Sequence, residues 1–414
     1  MKKRSLSRIG LLLLIGVFVF SGLIHAEDTV TLKILQYAPE MTDAMHDMAR
    51  EYHKQFPNVN LEFTILQNDY IPVLQAKLNS GDVPDVFMSG AYNDNKLYAD
   101  YCYDLTKQPC IKNVIPSTLS GVKLNGKVIG FPFIMQAYSY IYNKKLFAEA
   151  GITKLPTTLK EYAAAAEQLK SKGITPFGTG YREWWVLEQT MTNLFGQVKG
   201  NYTKLFADLN SGKKKFSRLK EVKSAFDWVD LTIKYGEDKP LETDFNAQCA
   251  LIAGGKVAMI HQGTWAEGSI KAVNPKADIG FLLVSASGNP KDAGLMVDSN
   301  ITYRICKQAK NVKEALKWLN WVINSEYGKK FVPEKTGQIS TIKGAPFPKA
   351  QLAEDTAGYM KTAKAYPWLK GMWPQGTEMP LPTALQAYVG KTKTRDQVSQ
   401  EWDQIWMKAV RASE

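Results

Sequence analysis

Tyr181-Arg182-Glu183-Trp184-Trp185 follows directly on the glycine turn Gly178-Thr179-Gly180. Trp265 stands just beyond Gly263, and Trp368 and Trp373 flank Gly371 and Pro374. The chain carries 10 Trp and 19 Tyr, and several of them fall in loop-like stretches rather than on periodic helix faces. An aromatic face covers C–H groups, while Asp, Asn, Gln, Glu or Arg beside it exchanges hydrogen bonds with hydroxyls. That pairing suits a sugar. The bland alternative for each tryptophan is a plug in a core gap, and composition alone does not separate the two.

Catalytic signatures are missing from the same sequence. There is no HExxH, no GxSxG and no Walker loop. His46 and His53 are spaced to lie on the solvent side of one amphipathic helix, which leaves His261 and, close to the N-terminus, His25. No CxxC spacing points to zinc, so neither a metal nor a cofactor is expected. The acid pairs of glycoside hydrolysis converge from distant positions, so spacing does not test them. A secreted carbohydrate-active enzyme therefore stays open as an alternative to a binder.

The N-terminus bears on the compartment. Lys2, Lys3, Arg4 and Arg8 precede the apolar run Ile9–Phe20, and Ile24-His25-Ala26 offers a cleavage site before Glu27. Residues 1–26 read as a signal peptide, because the apolar run is shorter than the roughly 20 residues of a membrane span. The expectation is an exported, periplasmic protein. The net charge of +12 includes those four leader charges, and Lys213-Lys214-Lys215 is the tightest basic cluster beyond them. No basic stripe of a nucleic-acid binder is present. Cys102 and Cys110 bracket a short loop and are expected to form a disulfide in an oxidising compartment. Cys249 and Cys306 sit in apolar surroundings and read as core residues.

Strands and helices alternate along the chain, which predicts an α/β sheet covered by helices. Val30, Leu32 and Ile34 alternate in an opening strand, and Met41, Met45, Met48, Tyr52 and Phe56 recur at helical spacing. Leu61, Phe63 and Ile65 form a second strand and Val86–Met88 a short buried third. Thr158 and Glu161 predict a capping box before an Ala-rich helix. Phe133–Tyr142 and Val297–Ile305 are long extended runs, suited to strands that pass between domains, and a third crossover is expected near Gln338–Ile342.

The order of segments resembles the extracellular solute-binding proteins of ABC transporters, the family that includes maltose- and multiple-sugar-binding proteins. Ser80–Phe87, Asn125–Phe133 with Tyr140–Phe147, Glu149–Glu161, Ile252–Trp265 and Lys313–Glu326 carry the resemblance, and together they span nearly all of the chain after the leader. It implies an α/β, two-lobed periplasmic-binding-protein fold with an interdomain cleft and three hinge crossovers. The implied lobes are 27–134 plus about 299–340, and 135–298 plus about 341–414. It implies a monomeric binder, not an enzyme, that captures a small sugar or oligosaccharide and delivers it to a membrane permease with a cytosolic ATPase, without a nucleic-acid partner. The alternative is a non-sugar solute such as a polyol phosphate or a polyamine. Carried onto this chain, the ligand positions are Ser89, Tyr92 or Asn93 after the Pro-Asp strand, and Gln136 on the first crossover. Tyr181, Arg182, Glu183 and Trp184 come from the second lobe's loop, with Trp265 from the Gly-x-Trp segment and Trp373 by order. Two departures stand out. Gln36-Tyr37 occupies the end of the first strand where such proteins often carry Trp, and Gly294–Asn300 is less glycine-rich than their second crossover. Gln36 is kept as a ligand position. Asp298 is either a hydroxyl acceptor or a hydrogen-bonder of the hinge.

Overall fold

The computed structural model describes residues 29–196, 202–362 and 364–413; the expected leader, residues 1–26, lies outside them. Strands β1 (Val30–Gln36), β2 (Val59–Ile65) and β3 (Val86–Ser89) run parallel, with β1 in the middle. Helix α1 (Thr42–Gln55) connects the first two and buries Met45, Met48 and Tyr52, the face its periodicity predicted. Helix α2 (Tyr70–Ser80) leads to β3, whose four residues are all buried. Parallel strands need such helical crossovers.

β4 (Phe131–Asn143) is 13 residues long. It is followed by β5 (Thr175–Gly178), β6 (Val257–Gly263), β7 (Ile279–Leu282), the 11-residue β8 (Leu295–Ile305) and the short β9 (Ile339–Ser340). The sheet runs in the order β2-β1-β3-β8-β4-β6-β5, and β7 and β9 pair with further parts of β4. The expected capping box is present: Thr158 Oγ1 accepts from Glu161 N at 3.3 Å, and Glu161 Oε2 accepts from Thr158 N at 3.1 Å.

The buried side chains divide at the long strands. One core draws on residues from Leu32 to Ile134 and from Ile301 to Ile342. The others draw on Ala137 to Met296 and Leu352 to Trp406. The divide cuts β4 and β8 near their middles, and the chain crosses it a third time just after β9. In β8 the pairing with β4 slips between Asp298 and Ile301. Such an irregularity bends a strand and weakens its pairing locally.

The cysteines depart from expectation. All four are buried free thiols in this structure. Cys110 turns inward on the short helical turn Pro109–Asn113, whereas Cys102 faces Cys306 across an isolated antiparallel bridge. Nearness in sequence misled here, because the backbone brings the end of β8 to Cys102 instead. Among the described residues no helix is long and apolar enough to cross a membrane.

Candidate functional site

A cavity of about 540 Å³ opens where the two sets of cores meet. Ordinary small-molecule sites span roughly 300–1,000 Å³. One wall comes from the first core's side: Tyr37, Tyr70, Ser89, Asp94 and Tyr98. The opposite wall carries Trp184, Trp185, Trp265, Trp368, Lys370 and Glu378. Gln136 of β4 and Ile301 of β8 line it from the crossovers.

The aromatic wall is built from three separate chain segments. Trp185 meets Trp265 at 6.4 Å and Trp265 meets Trp368 at 6.0 Å, both edge to face. Tyr138 backs Trp368 at 4.9 Å. Gly263 permits this arrangement, because a Cβ there would lie 2.2 Å from the Trp265 ring and 2.5 Å from the Ala137 carbonyl. The Trp265 indole donates to Gln262 Oε1 at 2.8 Å, which fixes its rotation. Trp184 Nε1, Trp368 Nε1 and Gln189 Oε1, all on residues of the cavity wall, have no hydrogen-bond partner in the structure. Buried polar atoms are ordinarily paired.

The opposite wall rests on a buried arginine. Arg304, fully enclosed, donates to Ser89 Oγ at 2.5 Å, Gly90 O at 3.0 Å, Asn95 Oδ1 at 2.8 Å and Ile129 O at 3.1 Å. It thereby holds the loop after β3 in shape. Asp94 caps that loop by accepting from Gly90 N at 2.7 Å. The Tyr37 hydroxyl donates to Ser89 O at 3.2 Å, and its ring meets Tyr70 edge to face.

Acidic groups dominate the charge of the cavity. Burial pushes the Glu378 carboxyl up to about 7, helped by the Asp94 charge opposite. Burial likewise raises Glu40 to about 7. Asp94 is raised by burial, against the opposing pull of Arg304. Lys370 lies 3.1 Å from Glu188. Burial works against the Lys370 charge, but Glu188, Glu378 and Asp94 together outweigh it and hold the ammonium above its usual range. Glu188 itself is raised by burial despite Lys370. Among the described residues no cluster of His, Cys, Asp and Glu is arranged to hold a metal ion.

Of the positions named from sequence, Ser89, Gln136, Trp184 and Trp265 reach the cavity. The others do not line it, each for a local reason. Gln36 is the last residue of β1 and points into the core, where Tyr303 donates to its Oε1 at 2.7 Å. One step along the strand reverses the face, so Tyr37 reaches the cavity instead. The Tyr181 hydroxyl pairs with Thr232 at 2.6 Å inside the second lobe's core. Arg182 is largely exposed and lies 3.8 Å from Asp244, while buried Glu183 accepts from Trp185 Nε1 at 3.2 Å. Trp373 is buried against Trp406, and Trp368, five residues earlier, takes the cavity position.

Three of the named positions clasp the two sides together. Tyr92, held at a positive φ of 57°, donates its hydroxyl to Asp298 at 3.0 Å. Asp298 also accepts from Ser299 N at 2.7 Å and Trp368 N at 3.3 Å. Burial raises the Asp298 carboxyl, and these three donors pull against that rise. The Asn93 side chain donates to Trp373 O, and Asn93 O accepts from Gln375 Nε2 at 3.2 Å. Sequence reasoning missed Tyr37, Glu40, Asp94, Gln189, Lys370 and Glu378. Tyr37 carried a signal in the strand's alternation; the charged residues carried none beyond their polarity.

Two lobes on one sheet, crossed by long strands and enclosing a mixed aromatic and polar cavity, define the class of two-lobed binding proteins. The chain belongs to the bacterial extracellular solute-binding protein family, whose model matches residues 38–329. It is 26% identical over 362 residues to the multiple sugar-binding protein of Streptococcus mutans, covering 84% of this chain and 83% of that one. Its fold matches RafE in complex with raffinose with a TM-score of 0.81 at 21% identity, over 92% of this chain and all of the other. The ligand-free form of RafE from Streptococcus pneumoniae matches with a TM-score of 0.70 at 22% identity, over 92% of this chain and 98% of that one.

Proposed function

We propose that this protein is the capture component of an ABC-type importer. It takes an uncharged sugar or oligosaccharide into the cavity between its lobes and presents it to a membrane permease driven by a cytosolic ATPase. The observation that carries the reading is the cavity's division of labour: stacked indoles on one wall, and carboxyl, amide and hydroxyl groups around them. Indoles suit the C–H faces of sugar rings, and carboxylates accept from their hydroxyls. A phosphorylated ligand is disfavoured, because the cavity's ammonium, Lys370, is already engaged by Glu188, and Glu40, Asp94 and Glu378 on the same walls are acids that offer an anion no positive charge. The sugar-binding relative adds support from outside the molecule.

Ser89, Gln136, Trp184 and Trp265 are proposed as ligand contacts, joined by Tyr37, Asp94, Trp185, Trp368 and Glu378. Asp298, with Tyr92 and Asn93, is assigned to the hinge and clasp rather than to the ligand. The lobes are residues 29–134 with about 301–342, and 137–296 with about 352–413; residues 1–26 are proposed as a cleaved export leader. The clasp contacts and the closer match to a raffinose-bound neighbour support reading this as the closed form. The test is a thermal-shift screen of neutral mono- and oligosaccharides, polyols, polyamines and sugar phosphates, followed by calorimetry. A neutral saccharide should raise the melting temperature and remain intact after long incubation. Stabilisation by sugar phosphates alone overturns the assignment of ligand class, and conversion of the saccharide to products overturns the binder.

A further inference from the structure

Tyr103 N donates to Ile305 O at 2.8 Å and Lys307 N donates to Tyr101 O at 2.8 Å. These bonds flank Cys102 and Cys306, which face each other as an antiparallel bridge without exchanging backbone bonds of their own. The Cys306 amide is used elsewhere, on Asp85 O at 3.0 Å. This is the non-hydrogen-bonded antiparallel pair, in which Cα atoms lie about 4.5 Å apart and the side chains share one face. A disulfide spans Cα separations of roughly 4.4–6.8 Å. The other two cysteines have no such geometry. Cys110 lies on its helical turn, and Cys249 sits on the helix Phe245–Ala253 in the other lobe's core.

We infer that Cys102 and Cys306 form a disulfide once the protein reaches the compartment its family occupies. Extracellular proteins meet thiol oxidants, and paired cysteines there are ordinarily joined. One cysteine follows the helix Asn93–Tyr98 and the other directly follows β8, so the bond ties the first lobe's early chain to its returning strand. Next to Cys306 stands Arg304, whose guanidinium shapes the loop at Ser89 and Gly90, so the bond braces one wall of the cavity.

The chemistry is thiol–disulfide exchange with a disulfide oxidant, such as an exported oxidoreductase or oxidised glutathione. One cysteine thiolate attacks the oxidant's disulfide, forming a mixed disulfide and releasing one thiol. The other cysteine, as thiolate, attacks the protein sulfur of that mixed disulfide and releases the second thiol. The pair loses two protons and two electrons, and the oxidant's disulfide becomes two thiols. Burial of both sulfurs assigns this exchange to the folding chain, before β8 docks.

The test uses the full chain refolded with oxidised glutathione, then denatured with an alkylating reagent, digested and analysed unreduced by mass spectrometry. The expected product is a peptide pair joined through Cys102 and Cys306, with Cys110 and Cys249 alkylated. Alkylation of both Cys102 and Cys306, or a bond from Cys102 to Cys110, overturns the inference. Reductant should lower the melting temperature of the oxidised protein by about 5 °C. C306S should lose that response, whereas C249S should keep it. The peptide result decides the matter even where C306S fails to fold, and it is independent of which ligand the cavity takes.

Discussion

Trp265 is a half-buried indole and Trp373 a fully buried one, and their surroundings assign them opposite tasks. Trp265 stands on the cavity wall between Trp185 and Trp368. Trp265→Ala should weaken ligand binding by roughly 2–4 kcal/mol, as for a central aromatic contact, and leave the fold intact. Calorimetry together with far-UV circular dichroism checks both halves of that statement. Trp373 instead packs on Trp406 in the second lobe's core. Trp373→Ala should cost about 3–5 kcal/mol of stability, seen as an earlier denaturant midpoint, with little further loss of affinity in the molecules that remain folded. Glu378 adds a pH signature. Its carboxyl titrates near 7 in the folded protein, above its unfolded value, so its contribution is fully present below the unfolded pKa and fades as pH rises through about 7. Its facing groups are Asp94, Lys370 and Glu188. Glu378→Gln should therefore gain stability relative to the parent between pH 5 and pH 8, on the order of 2 kcal/mol at the upper end. The comparison must be between the two proteins at each pH. Buried His261, held down to about 3, gives both of them the opposite slope in acid. A constant difference from pH 5 to pH 8 removes Glu378 as the source.

At the level of elements, the crossovers were the most legible feature of the sequence. β4 and β8 announced themselves as unbroken extended runs too long for one small lobe, and the structure gives them 13 and 11 residues. The amphipathic helices were equally readable, because Met45, Met48 and Tyr52 mark one face by spacing alone. The cavity was legible only in part. The glycine two residues before Trp265 was a local signal, since the ring folds back over Gly263. The choice of Trp368 over Trp373 was not local: it depends on how the turn Leu369–Met372 sits against Tyr92, and Gly371 is there because a Cβ would lie 2.8 Å from that ring. Asp94 and Glu378 meet only when the lobes do, so no window of sequence contains the pair. Tyr92 and Asp298 are likewise far apart in the chain and joined at 3.0 Å. Removing that bond by Tyr92→Phe should shift the population towards an open form. The expected cost is about 1 kcal/mol in ligand affinity, with the contacts to the ligand itself intact. A faster dissociation rate in stopped-flow fluorescence, using the cavity tryptophans as reporters, is the measurement. An unchanged rate and affinity would mean the Tyr92–Asp298 bond does not contribute to closure.

For the molecule as a whole, the expectation is motion of two rigid bodies about β4, β8 and the segment after β9. The register slip at Asp298–Ile301 supplies one place for the bending. A saturating ligand should reduce the radius of gyration in small-angle scattering without changing far-UV circular dichroism. No compaction would leave a rigid binder. The same topology has a consequence for how the protein comes into being. β8 lies between β3 and β4 in the sheet, although it is made from residues 295–305. The first lobe's core further requires Trp318 and Trp321 of the helix Val312–Asn324. A polypeptide of this family must leave the cell interior, and one threaded N-terminus first cannot complete even its first lobe until those residues have emerged. Folding of the first lobe is thereby postponed by the order of the strands, and a chain stopped before Leu295 would arrive outside with that lobe lacking its inserted strand and open to proteases.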